Sequence, residues 1–276
     1  MRYMLTSNEE QIAKEWGKYQ GYTVRPLPST IAYYRHWIAR KTLQQKYLIF
    51  GGTPEIRSLF QALALKVVLL DKNIEIVRAM GRLTLANIPI EKNETLIKKN
   101  WLEANSLPQK FDLLIGDDAI NMVSWNDFSL FLKTAYQLLN EDGIFICHLL
   151  VKPAEKLINN RIDDLLVEYQ RGDIPSVYDL ASRLNFICFD KKQYSMGWQQ
   201  TIEALGKEKL DLFKPDLDFI DTFKFCNSLF YCPPQQQFEE KTHQYFEIVE
   251  LFYPHEHHYC QYEPVYILKK KAHAND

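Results

Sequence analysis

Lys46-Tyr-Leu-Ile-Phe-Gly-Gly-Thr-Pro-Glu-Ile56 and, one helix length further on, Lys66-Val-Val-Leu-Leu-Asp71 decide the fold. An apolar run from Tyr47 to Phe50 stops at Gly51-Gly52, and Thr53-Pro54-Glu55 signals a helix start. A second apolar run ends on an acidic residue, Asp71, about twenty positions after the first glycine. Strand, tight turn, helix and strand in this order are the layout of a nucleoside-binding half of a doubly wound α/β fold. Thr53 suits the N-cap and Pro54 the first helical position, while Glu55 falls near the positive end of the helix dipole. The helix is expected to reach about Ala64. Val67 to Leu70 has the unbroken apolar character of a strand buried on both faces of a parallel sheet.

The alternation continues downstream. Asn73 to Leu83 carries Ile74, Val77 and Met80 at helical spacing, and Thr95 to Ile97 is a third strand leading to Asn100-Trp101. Phe111 to Gly116 is a fourth strand that opens into Asp117-Asp118. Ser124-Trp-Asn-Asp127 reads as a capping box before a stripe of Phe128, Phe131, Leu132, Ala135, Leu138 and Leu139. Asp142-Gly143 is expected to end that helix, and Ile144 to Val151 to form a fifth strand, apolar except for His148. Strands and helices alternating at this pace mean an open parallel sheet. Residues 154 to 212 read as helices and 213 to 242 as irregular, and Tyr245 to Tyr253 with Pro264 to Leu268 forms an antiparallel hairpin. The expected organisation is an N-terminal helical extension (1–44), an α/β core (45–152 and 243–272) and a mainly helical insertion (153–242). The extension carries Trp16, Tyr19, Tyr22, Tyr33, Tyr34 and Trp37, an aromatic load that suits either packing or a lid over a pocket.

A chain of 276 residues can bury a large core, and its net charge of -2 disfavours a dedicated nucleic-acid binder, which needs a concentrated basic face. The five cysteines (Cys147, Cys188, Cys226, Cys232, Cys260) include no C-x-x-C pair and read as thiols of a reducing cytosol. No apolar run approaches the length of a membrane span, and the expected location is the cytoplasm.

Charge narrows the ligand. A dinucleotide needs a second glycine at the turn and an uncrowded positive helix end. Here those places hold Thr53 and Glu55, with Asp117 and Asp118 at the neighbouring strand end. Such a rim repels phosphate and suits a cation. S-adenosylmethionine has a sulfonium, an ammonium and no phosphate. Asp71 can accept both ribose hydroxyls or, alternatively, cap the residues after Lys72.

Phe50-Gly-Gly-Thr-Pro-Glu55, Asp71, Asn100-Trp101, Phe111-Asp-Leu-Leu-Ile-Gly-Asp117 and Asp142-Gly-Ile-Phe-Ile146, in that order, resemble the class I, Rossmann-like S-adenosylmethionine-dependent methyltransferases. The resemblance covers residues 45 to 151 and extends to the terminal hairpin. It implies a mostly parallel, seven-stranded, doubly wound sheet with an antiparallel end. It also implies the Gly51-Gly52-Thr53 turn under the methionine part, Asp71 on the ribose, and Asn100 and Trp101 beside the adenine. Gly116, Asp117 and Asp118 would lie near the amino-acid moiety and the transferring methyl. Two departures stand out. Ile49 occupies the family's usual acidic position before the first glycine, and Asn100 replaces a frequent acidic residue, although an amide oxygen accepts the same hydrogen bond. The ammonium would then fall to Asp117, to backbone carbonyls around Gly51, or to Glu55.

Methyl transfer is an in-line displacement at an activated carbon, so positioning dominates and a general base is needed only when the nucleophile must lose a proton. Asp118, His148 and His36 are the candidate bases, and Trp16, Tyr19, Tyr33 and Tyr34 the candidate walls for a small-molecule acceptor. The bland readings are a satisfied core histidine for His148 and a solvated loop carboxylate for Asp118. His255, His257, His258 and Cys260, with Glu256, look like metal ligands on paper, but they fall where a polar hairpin connection is expected, and no metal is assigned. The rival readings are another nucleoside-dependent enzyme, such as an aminopropyl transferase or NAD oxidoreductase, and a degenerate relative that has become an interaction module.

Overall fold

Alternate residues of the central strands face opposite ways, and both faces are covered. The computed structural model describes residues 13, 16, 25–40, 45–213 and 229–272. Helix α1 (Pro28–Ala39) precedes β1 (Tyr47–Phe50), α2 (Pro54–Ala62), β2 (Val67–Asp71), α3 (Ile74–Met80) and β3 (Glu94–Lys98). The chain then crosses to β4 (Phe111–Asp117), α4 (Phe128–Leu138) and β5 (Leu139–His148). Helices α5 (Glu155–Ile158), α6 (Ile162–Arg171) and α7 (Val177–Ile187) follow, then β6 (Ser195–Met196), α8 (Trp198–Phe213, kinked at Gly206) and β7 (Phe230–Tyr231). Helix α9 (Gln235–Thr242), β8 (Phe246–Phe252) and β9 (Val265–Lys270) complete the fold.

The seven-stranded sheet has the order β3-β2-β1-β4-β5-β9-β8. Parallel pairing runs from β3 to β5, with Ile49 opposite Leu69 and Ile115, and Asp117 opposite His148. Strand β9 is antiparallel to both neighbours, pairing Ile267 with Ile146 and Tyr266 with Leu251. The expected Rossmann-like sheet and its antiparallel end are therefore both present.

Tyr47 and Ile49 join a core that includes Leu113, Ile115, Ile146 and Ile267, covered by Tyr34, Trp37 and Ile38 of α1 and Ile56, Leu59 and Phe60 of α2. Leu48 and Phe50 join the opposite core with Leu114, Phe145 and Tyr266, covered by Phe128, Phe131 and Leu132 of α4 and Phe238 of α9. A fully buried Arg57 ties α2 to the edge strand. Its guanidinium donates to Glu94 Oε1 and Oε2 at 2.9 and 2.7 Å, and also to the carbonyls of Val77 and Pro89. Paired and fully hydrogen-bonded in this way, a charge can be held inside a core.

The structure differs from the sequence reading in several places, and within the stretch expected to be irregular Gln235–Thr242 forms α9, with Phe238 buried against the sheet. Helix α4 stops at Leu138, and Asp142-Gly143 lie inside β5 and not at the helix end, because Leu139 already pairs with Phe111 ahead of a register shift. Strand β5 ends at His148, and the buried Leu149 and Val151 instead donate their N–H groups to Pro264 and Tyr262. Ser124 caps no backbone amide with its side chain. Its hydroxyl donates to Asp127 Oδ2 at 2.6 Å, across a single 3₁₀ turn that precedes α4.

Between β5 and α9 the chain builds two small cores, the second shared with Tyr259 of the β8–β9 connection. One packs Leu165, Leu180, Leu184 and Leu205, and the other Ile158, Phe186, Phe189, Met196 and Cys232. Asn121, fully buried at the end of the β4 loop, holds this region to the sheet. Its amide donates to the carbonyls of Leu150 and Tyr231 at 2.8 Å each, and its oxygen accepts from Leu150 N at 3.0 Å. Among the described residues, no helix is long and apolar enough to cross a membrane.

Candidate functional site

The strand order reverses between β1 and β4, and a crevice for ligands is expected outside the carboxyl ends of the strands at that point. Gly51 stands there with φ +93°, a left-handed conformation that glycine adopts without a steric penalty. A Cβ at this position would lie 3.8 Å from Asp71 Oδ2 and 3.8 Å from Trp101 Cζ2, so the turn, the carboxylate and the indole converge. The Leu70 carbonyl joins the turn to the indole by accepting from Gly51 N at 2.9 Å and from Trp101 Nε1 at 2.7 Å. Phe50 and Phe131 fix the indole by edge-on contacts.

Asp71 divides its two oxygens. Oδ1 accepts from Asn73 N at 2.7 Å, ahead of a helix that Asn73 and not Asp71 caps, and Oδ2 is the atom turned to Gly51. Burial pushes its pKa up against the pull of that amide and of Lys72. Gly52 and Gly116 have a different reason to be glycine. A Cβ on Gly52 would sit 3.1 Å from the Val77 backbone, and one on Gly116 3.1 Å from the Phe145 ring. Both permit close packing.

Two expectations about charge and polarity change. Glu55 is not an unneutralised carboxylate, because Arg25 Nε donates to its Oε1 at 2.6 Å and another guanidinium nitrogen also reaches it. Arg25 further donates to the Trp16 carbonyl, and Trp16 packs against the core of Ala13, Ala79 and Met80. Thr53 occupies the N-cap of α2 without a side-chain hydrogen bond. Asn100, exposed, uses its oxygen to accept from Leu102 N at 3.1 Å and so starts the 3₁₀ turn that carries Trp101.

Beside the turn lies a buried acidic cluster. Tyr34 Oη donates to Asp117 Oδ1 at 2.7 Å, and His148 Nδ1 stands 3.1 Å from the same oxygen and 3.2 Å from Asp118 Oδ1. These histidine contacts have ion-pair distance without hydrogen-bond alignment. Asp118 has φ +53°, a conformation costing a non-glycine residue about 1–3 kcal/mol and concentrated at functional sites. Burial pushes its pKa up to about 7, with His148 pulling down and Asp117 pushing up. For His148, burial alone would lower the pKa, but the Asp118 charge and the Asp117 contact together outweigh it and raise the pKa to about 10. His148 therefore carries its proton at neutral pH, and the group that titrates near neutrality is Asp118.

The remaining candidates are spread out. Tyr33 stacks on Phe252 with ring centroids 4.4 Å apart. His36 is exposed, about 200° around α1 from Tyr34, and the structure does not bring it to the cluster. Tyr19, Tyr22 and Cys226 lie outside the described residues. Glu256 accepts from Ser29 N and Oγ at 2.6 Å each, and His255 is exposed. Sequence reasoning missed Arg25, whose partner lies thirty positions away, and Glu263, buried just before β9, where burial pushes its pKa up to about 8.

No protein-family model matches the chain, and no curated protein sequence does so. Solved structures do. The CcbJ methyltransferase of Streptomyces caelestis is 10% identical over 98% of this chain and 100% of its own, with a TM-score of 0.61. A provisionally named Zn-dependent alcohol dehydrogenase of Rhodobacter sphaeroides is 13% identical over 96% of this chain and 100% of its own, with a TM-score of 0.59. The N-methyltransferase NodS of Bradyrhizobium japonicum WM9, solved with S-adenosyl-L-homocysteine, is 8% identical over 96% and 99%, with a TM-score of 0.50. At these identities the likeness is one of fold. In strand order and overall shape, the chain has the Rossmann-like fold of the class I S-adenosylmethionine-dependent methyltransferases.

Proposed function

We propose that the chain is an S-adenosylmethionine-dependent methyltransferase acting on a small-molecule acceptor in the cytoplasm. The observation that carries the reading is the convergence of the left-handed Gly51 turn, Asp71 Oδ2 and the Trp101 indole at the point where the strand order reverses. When bound, the cofactor supplies a methyl carbon activated by a sulfonium. Asp71 Oδ2 is the acceptor for ribose hydroxyls, Trp101 the wall for the adenine, and the Gly51 backbone the floor under the methionine part. Gly52 and Thr53 shape that floor. Glu55, already paired with Arg25, is withdrawn as the ammonium partner, which leaves Asp117 and the carbonyls around Gly51. Asn100 contributes chiefly by setting the turn on which Trp101 stands.

In this reading Asp118 is the base for an acceptor that must lose a proton, and the protonated His148 is its counterion. Tyr34 holds Asp117 in place from α1. The helical region between β5 and α9, together with Trp16 and Tyr33 ahead of the first strand, supplies the acceptor pocket. Calorimetric titration decides the matter. Binding of S-adenosylmethionine and S-adenosylhomocysteine that Asp71→Ala abolishes is the expected result. Tighter binding of NAD would favour an oxidoreductase, and no binding of any of the three would mark a degenerate interaction module.

A further inference from the structure

Away from the Gly51 turn, the connection between β8 and β9 carries His257-x-x-Cys260-x-x-Glu263. Cys260 N donates to the His257 carbonyl at 3.2 Å and Glu263 N to the Cys260 carbonyl at 3.0 Å, around the 3₁₀ turn Cys260–Tyr262. Three residues per turn stack positions i and i+3 on one side, so the spacing of three places all three side chains together. One donor atom from each lies within 4.8 Å of the others, and His257 Nε2 is 3.6 Å from Glu263 Oε2. A tetrahedral ion with bonds of about 2.0–2.3 Å sets neighbouring donors roughly 3.3–3.8 Å apart.

A second observation points the same way. Glu263 is only 2% exposed, and its Oε1 has no hydrogen-bond partner among the described residues. A buried carboxylate oxygen left in that state is unfavourable, and a cation removes the penalty.

We propose that His257, Cys260 and Glu263 form a site for Zn(II) or a similar borderline transition metal, with a fourth position for water or an outside ligand. The mixed nitrogen, sulfur and oxygen set selects this class of ion, because magnesium and calcium take oxygen donors. Loading releases the Cys260 thiol proton to solvent as the sulfur–metal bond forms. It also places the imidazole proton on Nδ1, so that the 3.2 Å contact from Tyr259 N is given up. The ion joins the two ends of a turn that begins beside Glu256, the partner of Ser29, and ends beside Val265, the register partner of His148. It therefore closes the β8–β9 connection on itself, two residues before Val265.

The test uses the full chain, stripped with a chelator and titrated with Co(II) and then Zn(II). The expected result is one ion per chain, with a thiolate-to-cobalt charge-transfer band that Zn(II) displaces. Cys260→Ser should abolish the band, and Cys188→Ser should keep it. His257→Gln and Glu263→Gln should each weaken Zn(II) binding by about 100-fold or more, beyond what outer-shell changes cost. A wild-type chain without the band, or a band that survives in Cys260→Ser, overturns the site. If Cys260→Ser fails to fold by circular dichroism, unchanged affinity in both His257→Gln and Glu263→Gln overturns it equally. Cofactor binding plays no part in these readouts, so this site and the methyltransferase reading stand or fall separately.

Discussion

Tyr34 donates its phenolic hydrogen to Asp117 Oδ1 at 2.7 Å, which fastens the helix before the first strand to the carboxyl end of β4. Both side chains are buried, and burial and the adjacent Asp117 charge hold the phenol protonated. A hydrogen bond to a charged group is worth about 1.5–3 kcal/mol. Tyr34→Phe keeps the packing and removes only this bond, so unfolding stability in urea should fall by about that amount. An unchanged urea midpoint would mean that the contact holds nothing in place.

Asp71→Asn separates the two duties of that residue. The amide oxygen can still accept from Asn73 N, so the melting temperature should stay close to that of the parent. The ribose acceptor loses its charge, and affinity for S-adenosylhomocysteine should drop by about ten- to a hundredfold, the range for a charged hydrogen bond. A large loss of stability with unaltered affinity would assign Asp71 only to shaping the turn before α3.

The acidic cluster makes stability depend on pH in a defined direction. His148 rises from 6.5 to about 10 on folding, so its contribution is complete below pH 6.5 and is lost as pH rises through 10. Asp118 rises from 3.8 to about 7, so its contribution is complete below pH 3.8 and is lost as pH rises through 7. The facing Tyr34 and Cys147 are both pushed up by burial and keep their protons through this window. Unfolding free energy should therefore decline between about pH 4 and 10 in the parent, and His148→Asn should alter the alkaline limb, losing the His148 part while Asp118, freed of that cation, titrates higher. If the two alkaline limbs superimpose, His148 is neutral in the folded protein.

Arg57→Met strands Glu94, whose side chain is 1% exposed, without its cation. Breaking a buried pair from one side costs about 3–5 kcal/mol, whereas replacing both partners with apolar groups of similar size is often neutral. Denaturant unfolding should show the single variant severely destabilised and Arg57→Met with Glu94→Leu recovering most of the loss. Additive losses would show that the pair is not coupled.

Much of the fold was legible because periodicity and turn chemistry are local. Tyr47 to Phe50, Val67 to Leu70 and Phe111 to Gly116 announce buried strands by composition alone, and Gly51 and Asp71 mark the turn and the strand end from which the crevice is built. The charge of the rim was not legible. Glu55 looks exposed to the crevice until Arg25 arrives from a distant part of the chain. Protonation states were hidden for the same reason, since His148 reads as a possible base in an apolar strand and becomes a cation only when Asp117 and Asp118 fold against it. Glu263 escaped notice because the eye goes to the histidines, whereas the 3₁₀ spacing that selects it emerges from the backbone.

Asn121 bonds at once to Leu150, where the chain leaves the sheet, and to Tyr231, where it comes back. Lys152 N adds a further bond to the Pro233 carbonyl at 2.9 Å, so departure and return run side by side. The segment so anchored is also tied to the β8–β9 connection, because Tyr259 Oη donates to Asp179 Oδ1 and Arg183 Nε donates to Tyr259 Oη. Any change of length between those two residues must therefore keep two anchors, the Asn121 clasp on the sheet and the Asp179–Tyr259 contact on the β8–β9 connection.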